Sequence, residues 1–146
     1  MVNTKFGSAL WSGGLKSGGG QITTESGALR NVPYGFSTRF EHRHGTNPEE
    51  LIGAAHAACF AMATAALLEG AGVDSVRVDA RSAITLAEED GGFTVTRADL
   101  TATVSGRGTE DALRKAANRA RGNCPISRFL NTEVTLDLTV KPLNPA

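Results

Sequence analysis

The chain has 146 residues, enough for a single domain that buries a real core. Its 15 basic and 15 acidic residues cancel, so nothing in its charge argues for nucleic acid or an anionic membrane surface as a partner. The opening "MVNTKFGSALWSGG" lacks the apolar run of about 7 to 15 residues that a secretory leader carries, and no segment reads as the roughly 20 apolar residues of a membrane span.

Residues 5 to 28 read as two short strands around the turn "GGLKSGGG". Those glycines do not make a phosphate-binding loop, because their spacing lacks the Lys-Ser/Thr pair that should follow the last glycine and no helix pattern opens after them. "YGFSTRFE", residues 34 to 41, reads as a third strand with Phe36 and Phe40 on alternate positions. A helix then starts at a clear signal: Asn47 as N-cap, Pro48 at the first helical position, and Glu50 three residues after the cap as in a capping box. Leu51, Ile52, Ala55, Cys59, Met62 and Ala66 follow at helical spacing, with Gly70 or Gly72 as the stop.

Two strands come next. Val76, Val78, Ala80, Ile84 and Leu86 share one face of the first, and "EEDGG" is the hairpin turn. In "FTVTRADLTATV" the apolar phase shifts from Phe93 and Val95 to Ala98, Leu100, Ala102 and Val104, which suggests a bulge or burial on both faces. A second helix over about 109–121 carries Ala112, Leu113, Ala116, Ala117 and Ala120 on one stripe, and Gly122 closes it. "CPISRFL" starts a further helical turn, and "EVTLDLTV" is a closing strand. No repeat or low-complexity tract divides the chain. One α+β domain spanning residues 1–146 is expected. The first helix is apolar around much of its circumference, so a homodimer that covers it is expected as well.

The two cysteines, Cys59 inside the first helix and Cys124 after the second, are the residues with chemistry to assign. A reducing cytoplasm is the expected compartment, and there thiols are more often catalytic, redox-sensing or metal-binding than permanently crosslinked. A cysteine on an apolar helical stripe is most often inert filling. A zinc site would recruit Cys59, Cys124 and His56 with His42 or His44, but the close Cys pair usual in such sites is missing. A reactive thiol needs help to ionise, since a free cysteine with pKa about 8.5 is only a few per cent thiolate at neutral pH. Arg39 is the natural cation, with Arg43, Arg121 and Arg128 as alternatives. On general rules Cys124, beside Pro125 at a helix start, is the easier thiol to activate.

"TRFE" at 38–41, "GTNPEELIGAAHAACFAMA" at 45–63 and "NCP" at 123–125 resemble the osmotically inducible protein C (OsmC) family, which also holds the organic hydroperoxide resistance (Ohr) proteins. "LWSGGLKSGGG…ESGAL" extends the likeness over essentially the whole chain. The resemblance implies an OsmC-like α+β fold, with antiparallel sheets wrapped around central helices in an intertwined homodimer. It implies a thiol-dependent peroxidase that reduces organic hydroperoxides, and hydrogen peroxide as a further substrate, in oxidative or osmotic stress defence. The matching positions make Cys59 the peroxidatic cysteine, Cys124 the resolving one, and Arg39 with Glu49 the supporting polar pair, reversing the general ranking of the thiols. "STRFE" and "AAHAACF" match the OsmC branch, whose arginine comes from the strand, rather than the Ohr branch with its arginine in the Gly-rich loop, where this chain has only Lys16. No cofactor is implied. The partners implied are a second copy of the chain, a hydroperoxide, and an external dithiol of lipoyl or thioredoxin type. The alternative is a stress or small-ligand binding protein with the same fold and no chemistry.

One expectation follows from helix geometry. Glu49 and Cys59 are ten residues apart, about 15 Å along an unbroken helix and roughly 80° apart around it. Glu49 is therefore expected to serve the site of the partner chain, brought there by an antiparallel copy of the helix.

Overall fold

The Gly-rich opening forms a hairpin. β1 (Gly7–Ser12) turns back into β2 (Gly19–Thr24), which pairs antiparallel with a short β3 (Val32–Tyr34). The turn is so tight that a Cβ at Gly18 would lie 2.3 Å from the Ser12 carbonyl oxygen, so only glycine fits there. The computed structural model describes residues 1–144 and divides into two compact units, Met1–Leu51 and Ile52–Ala146.

The expected third strand over 34–41 is corrected. It stops at Tyr34, and Phe36–Phe40 is a short helix, α1. Thr38 decides this: its hydroxyl accepts the Gly35 N–H at 2.8 Å and donates back to the Gly35 carbonyl at 3.0 Å, closing a turn that a strand cannot make. Phe36 and Phe40 then stack one helical turn apart, with ring centroids 4.8 Å apart. Arg39 is thus carried by a helix, not a strand.

α2 (Pro48–Gly70) starts where its cap predicts. Asn47 Oδ1 accepts the Glu50 N–H at 2.9 Å. The reciprocal half of the capping box is replaced, because the Glu50 carboxylate accepts the Thr46 hydroxyl at 2.7 Å. At 23 residues α2 is long and apolar enough, by length and composition, to cross a bilayer. The sequence reading that no segment reaches that limit is corrected accordingly. In the second unit α2 buries one stripe, Gly53, His56, Phe60, Thr64 and Leu68, while Ala54, Ala58, Met62 and Ala66 stay exposed along another.

β4 (Asp74–Glu89) and β5 (Gly92–Arg107) form a long antiparallel hairpin. The expected bulge is present: Thr85 pairs with Arg97 but Leu86 pairs with Val95, so Thr96 is the extra residue. Beyond it Ala98, Leu100, Ala102 and Val104 turn fully to the core. α3 (Glu110–Asn123) is capped by the Thr109 hydroxyl, which accepts the Ala112 N–H, and buries Leu113, Ala116, Ala117 and Ala120. It runs past Gly122 because Cys124 provides the C-cap, its N–H bonding the Ala120 carbonyl. α4 (Pro125–Phe129) follows at once. β6 (Glu133–Pro142) then joins β5 in parallel, so the second sheet is mixed while the first is purely antiparallel. The α3–α4 crossover allows this, since parallel neighbours cannot be joined by a tight turn.

Candidate active site

In the first unit, α1 and the first turn of α2 bring Arg39 and Glu49 together. Arg39 Nε lies 3.1 and 3.0 Å from the two Glu49 carboxylate oxygens, and Nη2 lies 2.5 Å from one of them. This is a forked, charge-assisted pair that fixes the plane of the guanidinium. The guanidinium also faces the Phe40 ring at 5.5 Å. Beside it is a cavity of about 160 Å³ lined by Trp11, Leu15, Tyr34, Phe36, Arg39 and Phe40 among others. Its walls are aromatic and aliphatic, and Arg39 is its one charged lining residue.

In the second unit the two cysteines meet. Both are free thiols, Cys59 half-buried and Cys124 buried. Cys59 packs against the core cluster that contains Cys124, and its thiol is near enough to Cys124 and to the Ile126 backbone to feel both. α2 supplies Cys59 from the turn between buried His56 and Phe60. The α3–α4 junction supplies Cys124, whose sulfur accepts the Ser127 N–H at 3.3 Å as the N-cap of α4. Burial first, and then the neighbouring Cys124, push the Cys59 thiol above its ordinary pKa, outweighing the Ile126 bond that lowers it. Such a thiol needs a cation before it can act as a nucleophile. Of the alternative cations, Arg121 is engaged with the Val134 carbonyl at 3.1 Å.

Sequence reasoning singled out His56 but missed the two serines that flank it, Ser82 and Ser127. His56 is completely buried, with Nδ1 2.7 Å from the Ser82 hydroxyl and Nε2 2.8 Å from the Ser127 hydroxyl. Ser127 in turn lies 3.0 Å from Cys124 Sγ. Gly53 makes this possible: a Cβ there would come 2.8 Å from the Ser82 carbonyl oxygen, so α2 approaches β4 closely one turn before His56. Ser127 could have been noticed, because Cys-Pro-x-Ser places a hydroxyl at the third helical position after a capping residue. Ser82 could not, since it is one polar residue on an otherwise apolar strand face. With both ring nitrogens committed to serines, His56 is not set up to ligate zinc, and among the described residues no three His, Cys, Asp or Glu side chains converge as a metal site.

The second unit thus sets two free thiols side by side on an α+β frame. The family described as OsmC-like protein matches residues 41–139. The chain is 44% identical over 142 residues to peroxiredoxin OsmC of Escherichia coli (strain K12), covering 97% of this chain and 99% of that protein. It is 31% identical over 128 residues to the organic hydroperoxide resistance protein OhrB of Bacillus subtilis (strain 168), covering 84% and 89%. The crystal structure of that OhrB superposes with a TM-score of 0.68 at 25% identity, covering 92% of this chain and 98% of the other. An OsmC structure from Legionella pneumophila shares the fold, with a TM-score of 0.65 at 22% identity, covering 96% and 98%. The chain belongs to the OsmC family, and its fold is that of the OsmC and Ohr proteins.

Proposed function

We propose that this chain is a cysteine-based peroxidase that reduces organic hydroperoxides through a two-cysteine cycle. The observation that carries the reading is the contact between half-buried Cys59 and buried Cys124. A peroxidatic thiol must meet substrate, whereas a resolving thiol need only meet its partner, and the difference in burial fits that division. The curated relatives named peroxiredoxin OsmC and organic hydroperoxide resistance protein support the same chemistry.

The cycle runs as follows. The Cys59 thiolate attacks the distal peroxide oxygen; the O–O bond breaks and the leaving alkoxide takes a proton to become an alcohol. Cys59 is now a sulfenic acid. Cys124 attacks its sulfur and expels hydroxide, which leaves as water, and the Cys59–Cys124 disulfide forms. An external dithiol then reduces it by exchange. A depression of about 360 Å³, lined by Ala63, Leu67, Arg119, Cys124 and Pro125 among others, offers that reductant an approach. Continued turnover requires a reducing compartment, in keeping with the expected cytoplasm.

Arg39 stabilises the thiolate and the charge that develops on the departing oxygen, and Glu49 holds it in plane. The apolar cavity beside Arg39 fits the tail of an organic hydroperoxide with its polar head at the guanidinium. The functional unit is a homodimer. Its support is the exposed apolar surface, including Met62 at 75% and Phe129 at 82% exposure, and the bare stripe of α2. Antiparallel packing of two α2 helices would bring the first turn of one chain, with Glu49, beside Cys59 of the other.

Hydroperoxide consumption with lipoyl-type and thioredoxin-type dithiols, on wild type and Cys59→Ser, tests the reading. Wild type is expected to turn over with at least one of the reductants and Cys59→Ser with none. A Cys59→Ser chain that turned over normally would overturn it.

A further inference from the structure

Three groups that the cycle above leaves unused, half-buried Ser82 and buried His56 and Ser127, form one continuous chain that ends at Cys124. Its contacts are 2.7 Å from the Ser82 hydroxyl to His56 Nδ1, 2.8 Å from His56 Nε2 to the Ser127 hydroxyl, and 3.0 Å from that hydroxyl to Cys124 Sγ. We propose that this chain is a proton relay for the resolving step, in which His56 acts through Ser127 as the base that deprotonates Cys124. The inference rests on the two-cysteine cycle proposed above.

One tautomer of His56 runs the relay in the direction required. When Nδ1–H donates to Ser82, Nε2 is left to accept the Ser127 O–H, and the Ser127 oxygen is left to accept the Cys124 S–H. Burial holds the His56 imidazole below its ordinary pKa, so it is neutral and its lone pair is free for the task. The thiolate that results keeps the Ser127 N–H as a donor at 3.3 Å.

The step balances. The Cys124 proton passes to Ser127 oxygen as the Ser127 proton passes to His56 Nε2, giving a thiolate and an imidazolium. The thiolate attacks the Cys59 sulfenic sulfur, the S–S bond forms and the S–OH bond breaks. Cys124 sulfur is oxidised and Cys59 sulfur reduced. The departing hydroxide gains one proton to become water, and the imidazolium returns the proton it borrowed. Cys124 is only 1% exposed, so an internal base gives its proton a direct route that does not depend on solvent reaching the sulfur.

His56 is a positioning residue in this scheme, since it acts through Ser127, and a purely structural role must be separated from it. His56→Gln keeps hydrogen-bonding atoms for both serines but no basic nitrogen; Ser127→Ala breaks the relay and Ser127→Thr restores the hydroxyl. The purified proteins receive one equivalent of tert-butyl hydroperoxide. Rapid quench with dimedone and mass spectrometry then follow sulfenic acid formation and its conversion to the Cys59–Cys124 disulfide separately.

General bases typically contribute ~100-fold or more. His56→Gln and Ser127→Ala are therefore expected to slow the second step at least ~10-fold with the first step unchanged, and Ser127→Thr to recover most of the rate. Wild-type resolution rates in both His56→Gln and Ser127→Ala would overturn the relay. Equal slowing of both steps, in parallel with lost thermal stability, would make the chain a structural brace and overturn it too. A wild type that forms sulfenic acid but never the disulfide would bring down the two-cysteine cycle itself, a failure visible before any variant is made.

Discussion

Arg39 and Glu49 meet edge to edge, the guanidinium Nε within 3.1 Å of both carboxylate oxygens and Nη2 closing the fork. Side-chain exposure is 31% for the arginine and 14% for the glutamate, so the carboxylate is the more enclosed partner and the guanidinium keeps a free edge. A lysine at 39 retains the charge and loses the planar fork that pairs with a carboxylate and a peroxide at once. Arg39→Lys is expected to lower the rate of the first oxidation step 10- to 100-fold, about 1.4 to 2.7 kcal/mol of barrier. Stopped-flow oxidation with a hydroperoxide measures it. A near-normal rate would mean that another group ionises Cys59.

Glu49 and Cys59 lie on one unbroken helix, about 15 Å apart along its axis at 1.5 Å per residue. If two chains share their sites, inactive Cys59→Ser and inactive Glu49→Gln chains should complement each other. The mixed dimer holds one complete site, the intact Cys59 of one chain beside the intact Glu49 of the other. Activity is expected to rise with the mixed-dimer fraction. Verified mixed dimers as inactive as their parents would place Glu49 at work within its own chain.

His56 also gives a pH signature in stability. Its folded-state pKa is depressed by burial, whereas in the unfolded chain it titrates near 6.5. Below about pH 6.5 the unfolded state binds a proton that the folded state refuses, so stability falls as pH drops through that value toward the folded pKa. Above it the contribution is complete. Denaturant titrations at pH 7.5 and pH 5.5 are expected to show a larger acid loss in wild type than in His56→Gln. Equal losses would show that His56 accepts a proton in place.

How much of this was legible in the sequence depended on whether the signal was local. The Asn47–Pro48 helix start and the bulge at Thr96 were readable, because a cap and a phase slip are both written in neighbouring residues. Phe36 and Phe40 were misread because a spacing of four fits alternation in a strand as well as one turn of a helix; Thr38 bonding back to Gly35 settled it. The parallel pairing of β6 was not readable, since strand direction depends on how α3 and α4 return the chain. The same holds for His56 and Ser127, 71 residues apart in sequence and 2.8 Å apart in space. The resemblance to OsmC proteins singled out the cysteines, but not the serines and histidine behind them.

The central claim is that Cys59 and Cys124 work as one redox couple, and cystine mapping after turnover tests it most directly. The chain holds two free thiols. After one equivalent of hydroperoxide, titration should find none, and digestion under non-reducing conditions should yield one cross-linked peptide joining Cys59 to Cys124 within a single chain. Both thiols still free after peroxide has been consumed, or a bond joining cysteines of different chains, would contradict the account.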